Sequence, residues 1–227
     1  HSMKDMPIAQ PDGLVLDTYL PREDVRDAFV SPSTDSIASL TQGARVGSSS
    51  LRRRAQLMHV RPDLDVVEFR GNVQTRLKKL AEGVASCTFL AMAGLNRLNM
   101  AHIATLAIEP EDMLPAVAQG AIGIERRSND SVTAALLEPL HHAGTGQRLA
   151  AERAFLAALD GSCETPIAGL ATLECSELLL RGEVLRPDGS EKLSGERRGA
   201  IGRSAEMGYD LAQDLLSQAG PEFFSWR

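Results

Sequence analysis

From Arg45 to Met92 the chain alternates between short apolar runs and helix-length amphipathic runs. Arg45–Gly47, Leu64–Phe69 and Cys87–Met92 read as strands, and Leu51–Val60 and Val73–Leu80 read as helices. Strands separated by helices of about ten residues predict βαβ units on a mostly parallel sheet. The first helix sets Leu51, Ala55 and Met58 on one face. In open sheets of this kind ligands gather beyond the carboxyl ends of the strands. There the sequence places Gly47-Ser48-Ser49-Ser50 and Gly71-Asn72, with Arg52, Arg53, Arg54, Arg70 and Arg76 around them, and the turn after the third strand adds Gly94 and Arg97. A helix N-terminus favours an anion, and arginine adds a planar fork that fits carboxylate or phosphate. A lone Arg-Arg-Arg is usually a solvated helix face. Recurrence at two successive turns argues for a ligand carrying several anions.

The flanking sequence suggests that this unit is inserted into another. Leu14–Leu16 and Ala28–Val30 read as strands, and the charged stretch Pro21–Asp27 between them as a linker or hinge. Met113–Gly120, rich in small residues and containing proline, reads as a second crossing segment before a strand at Ala121–Glu125. Two crossings would make a hinge around a cleft. Beyond His142 the character changes: a helix at Gln147–Leu159, strands at Pro166–Leu173, Leu178–Leu185 and Lys192–Gly195, and a helix at Ala205–Gln218 describe a small α+β unit. Arg186-Pro187-Asp188-Gly189 is a β-turn sequence. His1–Pro7 reads as protein interior, so the sequence is expected to be a piece of a longer chain.

Composition narrows the ligand. A net charge of -6 disfavours nucleic acid as the partner. No run of 18 apolar residues predicts a membrane span. Cys87, Cys163 and Cys175 are odd in number and form no CxxC pair, which argues against a disulfide framework or structural zinc and for a reducing compartment, the cytosol.

Two further residues are candidates for chemistry. Cys163, in Gly161-Ser162-Cys163-Glu164-Thr165-Pro166, lies in a loop after a helix, where an exposed thiol could be a nucleophile or an attachment point. Cys87 in an apolar strand and Cys175 at a turn take the ordinary reading of a small buried hydrophobe. Asp5, beside Lys4 and before Pro7, sits where a carboxylate could face a ligand as acid, base or stabiliser of a developing cation; the residues alone leave these open. His141-His142 reads as a boundary turn rather than metal chemistry.

The chain resembles the bacterial porphobilinogen deaminases, also called hydroxymethylbilane synthases. The matching pieces are His1–Pro7, Arg22–Phe29, Gly47–Arg53, Arg70–Leu77, Ala93-Gly94-Leu95, Gln119-Gly120, Glu152-Arg153 and Gly161–Pro166. Ala118 and Ser162 stand where the family commonly has glycine. The resemblance implies two hinged α/β domains like those of periplasmic binding proteins and a small C-terminal α+β domain. Residues 1–20 and 121–138 would be a remnant of the first domain, 26–114 the second and 143–227 the third. It implies a cytoplasmic, monomeric transferase of tetrapyrrole synthesis that joins four porphobilinogen molecules into hydroxymethylbilane with loss of ammonia. Cys163 would hold a dipyrromethane cofactor by a thioether. Asp5 would be catalytic, contacting pyrrole nitrogens and stabilising cationic intermediates. Lys4, Ser50, Arg52, Arg53 and Arg76 would hold the cofactor, and Ser2, Arg70, Arg97 and Gln119 the substrate; no metal, nucleic acid or membrane is implied. With part of the first domain absent, these 227 residues alone are expected to be inactive. The alternative is a non-catalytic anion-binding protein of the hinged periplasmic type, which would need neither Cys163 nor Asp5.

Overall fold

A computed structural model describes residues 1–162 and 165–226. After a 3-10 turn at Met3–Asp5, the chain forms β1 (Leu14–Tyr19), then β2 (Asp27–Val30), β3 (Arg45–Gly47), α1 (Leu51–Val60), β4 (Asp65–Val67), α2 (Val73–Ala81), β5 (Cys87–Ala91), α3 (Met92–Arg97) and β6 (Leu106–Ile108). β2 to β6 make a five-stranded sheet in the order β4-β3-β5-β2-β6. β3 pairs in parallel with β4 and β5, whereas β2 is antiparallel to β5 and β6. Every strand but β2 therefore points the same way, and the sheet is mixed rather than simply parallel. The reversed strand, β2, is the one that enters directly from the Pro21–Arg26 crossing.

Period-two alternation assigns the sheet's residues to two cores. Phe29, Val46, Cys87 and Phe89 pack on one face; Ala28, Val30 and Leu90 pack on the other with Phe69 and Leu95. A sheet covered on both faces needs continuous apolar strands, and all four residues of β2 are buried.

α1 has the bounds its sequence predicts, but its buried face differs. Leu51 and Met58 are half-exposed, and the inner face carries Ala55 and Leu57 with Arg52, Arg53 and Gln56. α1 faces buried carboxylates and carbonyls as well as the core, so a purely hydrophobic stripe misplaces it. Gly94 and Arg97 lie within α3, which follows β5 with no intervening turn.

The remaining elements are β7 (Gly123–Arg127), α4 (Ser131–Leu137), α5 (Ala143–Ala158), β8 (Ile167–Glu174), β9 (Glu177–Leu185), β10 (Lys192–Ala200) and α6 (Ser204–Gln218). β7 begins two residues later than expected because Ile122 only bridges to Ser2; it pairs antiparallel with β1. β10 runs on to Ala200, paired throughout with β9. β8, β9 and β10 form an antiparallel sheet, and its inner residues Leu178, Leu180 and Val184 share a core with Leu149 and Phe155 of α5 and Leu211 and Leu215 of α6. Met3, Leu16 and Ala121 belong to the same core. His142 caps α5, its Nδ1 accepting from Thr145 N at 3.1 Å. Cys175 is exposed in the β8–β9 turn with φ +57°, not buried as its sequence context suggests; a two-residue hairpin turn points it away from any core.

The two crossing segments run side by side. Glu23 N donates to Gly120 O at 2.8 Å, Arg22 Nε to Gln119 O at 3.0 Å, and Gln119 Nε2 to Val25 O at 2.7 Å. The side chain of Arg22, expected in a linker or hinge, is buried: Nη1 and Nη2 donate to the two oxygens of Glu152 at 2.6 and 3.0 Å. Glu152 also accepts from Ala118 N at 2.7 Å and Ala171 N at 2.8 Å. Ala118 has φ +62°, the left-handed region where glycine is the unstrained residue. The bond to Glu152 helps hold an alanine in that conformation.

Candidate functional site

The turn into α1 is fixed by its own small residues. A Cβ on Gly47 would stand 2.5 Å from Phe69 Cγ, so only glycine lets the ring cover the end of β3. Ser49 Oγ accepts from Phe69 N at 2.7 Å, and Ser50 Oγ caps α1 by accepting from Arg53 N at 3.4 Å. A capping hydroxyl keeps its O–H as a donor for an anion. At the second turn Asn72 caps α2, accepting from Thr75 N at 2.9 Å.

With the turn fixed, Arg52 and Arg53 project inward onto Asp27, the first residue of β2. Arg53 Nε and Nη2 donate to Asp27 Oδ1 at 3.0 and 2.6 Å, and Nη1 to Phe89 O at 2.9 Å. Arg52 Nη2 lies 2.8 Å from Asp27 Oδ2, while its Nη1 donates to Gln56 Oε1 at 3.1 Å and Leu114 O at 2.9 Å. Gln119 Nε2 reaches Asp27 Oδ1 at 3.0 Å. Burial by itself would raise the Asp27 carboxyl, but the two guanidiniums outweigh it and hold the group well below the usual carboxylate range. Burial pulls Arg52 down, opposed chiefly by Asp27. The two arginines expected to hold a ligand are thus also engaged by an internal carboxylate.

Polar capacity is left over. Arg52 Nε and Gln119 Oε1 are buried and, among the described residues, have no hydrogen-bond partner. Both residues line a cleft of about 170 Å³ together with Lys4, Asp5, Ser50, Arg53, Ser162 and Thr165. Lys4, Arg52 and Arg53 set three cations against the carboxylates of Asp5 and Asp27. Lys4 is lowered to about 8, first by burial and then by Arg53. A group so disfavoured as a cation would be restored by an incoming anion.

An adjoining cleft of about 520 Å³ shares Lys4 and Gln119 and adds Ser2, Gly94 and Arg97. A third shares Ser50 and is bordered by Arg54 and Arg70. Arg70 is exposed and paired with Glu68. Arg76 is half-buried, its Nε donating to Gly71 O at 2.8 Å; burial, and secondly Arg53, lower its guanidinium. The structure therefore brings together Lys4, Asp5, Ser50, Arg52, Arg53 and Gln119, sets Ser2 and Arg97 beside them, and leaves Arg70 and Arg76 at the periphery. Cys163 lies outside the described residues, between Ser162 and Thr165 in sequence.

Sequence reasoning missed Asp27, Gln56 and Glu152 as organisers of this region. Asp27 left one trace: an acid leading straight into the apolar run Ala28-Phe29-Val30 needs a buried cation.

Two family descriptions match the chain. Residues 1–135 match "Porphobilinogen deaminase, dipyromethane cofactor binding domain" and residues 147–217 match "Porphobilinogen deaminase, C-terminal domain". The chain belongs to the porphobilinogen deaminase family. It is 64% identical over 226 residues to a porphobilinogen deaminase of Paracoccus denitrificans, spanning 100% of this chain and 72% of that protein. It is 52% identical over 229 residues to the chloroplastic porphobilinogen deaminase of Pisum sativum, spanning 99% of this chain and 62% of that one. Among solved structures, a YaeC-family lipoprotein of Enterococcus faecalis overlaps 56% of the chain and 62% of its own at TM-score 0.37 and 15% identity. A putative methionine-binding lipoprotein of Bacillus subtilis overlaps 59% and 63% at TM-score 0.38 and 14% identity. Overlaps that slight carry no argument, and the family match does not favour a non-catalytic binding protein. No helix among the described residues is long and apolar enough to cross a membrane.

Proposed function

We propose that this chain carries the cofactor cleft of a cytoplasmic, monomeric transferase that joins four porphobilinogen molecules into hydroxymethylbilane, releasing ammonia at each addition. The observation that carries this reading is the convergence of Lys4, Asp5, Ser50, Arg52, Arg53 and Gln119 in one cleft that Ser162 and Thr165 also line. A dipyrromethane fits the donor set: its acetate and propionate groups match Lys4 and the unpartnered Arg52 Nε, and its pyrrole N–H groups match an unpartnered acceptor such as Gln119 Oε1. Bound through Cys163, it would supply an electron-rich ring carbon as the acceptor of the first substrate.

The chain's own residues do the rest. Arg52, Arg53, Lys4 and Ser50 hold carboxylates, each desolvated charge-assisted bond contributing about 1.5–3 kcal/mol. Ser2, Arg97 and Gln119 orient porphobilinogen in the adjoining cleft, and Arg70, on the third cleft beside Ser50, and Arg76 offer further cations farther out. As the carbon–nitrogen bond of the aminomethyl group breaks, positive charge develops on the substrate ring, and the exposed carboxylate of Asp5 offsets it. The division into residues 1–20 with 121–138, 26–114 and 143–227 sets the paired crossings as a hinge, which would let one cleft serve a lengthening product.

Intact mass spectrometry tests this reading. Full-length protein made in a pyrrole-synthesising host should carry a mass increment of two linked pyrroles at Cys163, and an unmodified thiol would count against it. In the full-length enzyme Asp5→Ala should nearly abolish turnover with the fold intact; wild-type rates would remove Asp5 from the chemistry.

A further inference from the structure

The C-terminal sheet holds the arginine helix at two points. Leu178, Leu180, Gly182 and Val184 of β9 face their own core, so Arg181 and Glu183 face the opposite way. Arg181 Nη1 reaches Glu111 Oε1 at 2.7 Å, and Glu183 Oε2 accepts from Gln56 Nε2 at 3.1 Å. At the tip of the β9–β10 hairpin, His59 Nδ1 lies 2.9 Å from Gly189 O. Only glycine serves there: φ is +74°, and a Cβ would stand 2.5 Å from His59 N. One strand and its turn thus lie along α1 at Gln56 and again at His59.

Gln56 sits one helical turn beyond Arg52 and faces two charges of opposite sign. Its Oε1 accepts from Arg52 Nη1 at 3.1 Å, and its Nε2 donates to Leu114 O and Glu183 Oε2, each at 3.1 Å. The amide satisfies this arrangement in one orientation only, with oxygen toward the guanidinium and nitrogen toward the carboxylate. Glu183 is in turn 3.4 Å from Lys192 Nζ on β10. We infer that Gln56 and Glu183 are positioning residues that relay the placement of the C-terminal sheet to Arg52, fixing the guanidinium that faces the cleft. The inference rests on the functional reading above, and it makes the anion site dependent on a strand that contributes no ligand contact of its own.

A charge swap tests it. In the full-length enzyme Gln56→Glu keeps an acceptor for Arg52 but sets a carboxylate against Glu183, whereas Gln56→Glu with Glu183→Gln gives that carboxylate an amide donor again, and Leu114 O keeps its bond from Arg52 Nη1. Gln56→Glu should lower the fraction of protein carrying the two-pyrrole mass and raise KM for porphobilinogen about tenfold, with kcat of the loaded fraction changed less than about threefold. The double variant should return KM to within about threefold of wild type. Glu183→Gln, which changes charge without shape, should raise KM in the same direction and keep the wild-type Tm. Wild-type KM in Glu183→Gln, or a double variant no better than Gln56→Glu at equal Tm, would overturn the relay. A wild-type protein without the pyrrole mass would instead overturn the functional reading.

Discussion

Arg53 donates from both Nε and Nη2 to a single oxygen of Asp27, at 3.0 and 2.6 Å, with both residues buried. The other Asp27 oxygen lies 2.8 Å from Arg52. One carboxylate therefore holds two guanidiniums that would otherwise repel each other, and it sets their direction before any ligand arrives.

Asp27→Asn should be severely destabilising. It leaves two buried guanidiniums without their counter-charge, a loss of about 3–5 kcal/mol by comparison with other broken buried pairs. The folded-state pKa of Asp27 lies below the ordinary carboxylate value. Its contribution is complete above about pH 4 and is lost as pH falls through the folded value. Denaturant titrations at neutral and acid pH should find wild type losing stability on acidification and Asp27→Asn losing less; equal slopes would contradict the assignment.

Glu152 and Arg22 make a second buried pair, with both Glu152 oxygens also accepting backbone N–H groups. Glu152→Ala should cost about 3–5 kcal/mol by exposing Arg22 to an uncompensated interior. Removing both charges, as Arg22→Leu with Glu152→Leu, should cost less than the sum of the single changes. A thermal double-mutant cycle that sums within about 0.5 kcal/mol would show no coupling.

Lys4 titrates near 8 between Arg53 and Arg52 on one side and Asp5 and Asp27 on the other. Bound carboxylates favour its protonated form and so raise its pKa. In the full-length enzyme KM for porphobilinogen should therefore be flat below pH 8 and climb above it, and Lys4→Met should raise KM at pH 7 while removing the Lys4-dependent part of that climb. An identical pH profile in the variant would exclude Lys4 from anion binding.

Burial pushes the Cys87 thiol up to about 12, and Cys175 is exposed. An alkylating reagent should modify Cys175 in native protein and reach Cys87 only after unfolding. Peptide mass mapping with and without denaturant measures both; rapid native labelling of Cys87 would contradict its packing.

The sequence by itself determined what depends on near neighbours. α1 was legible to the residue, because Ser50 caps a helix whose periodicity begins at once, and the turns bearing arginine were legible because glycine, serine and asparagine mark them. The family motifs carried Lys4, Asp5, Ser50, Arg52, Arg53 and Gln119, and the fold gathers these six in one cleft. Only the tertiary structure decided what those residues face. The partner of Arg53 is 26 positions away and that of Arg22 is 130 away. No local pattern specifies which carboxylate will meet a guanidinium across such separations. Asp27, Gln56 and Glu152 stayed hidden for that reason: each looks like an ordinary polar residue until burial removes water and forces every donor and acceptor to find a partner.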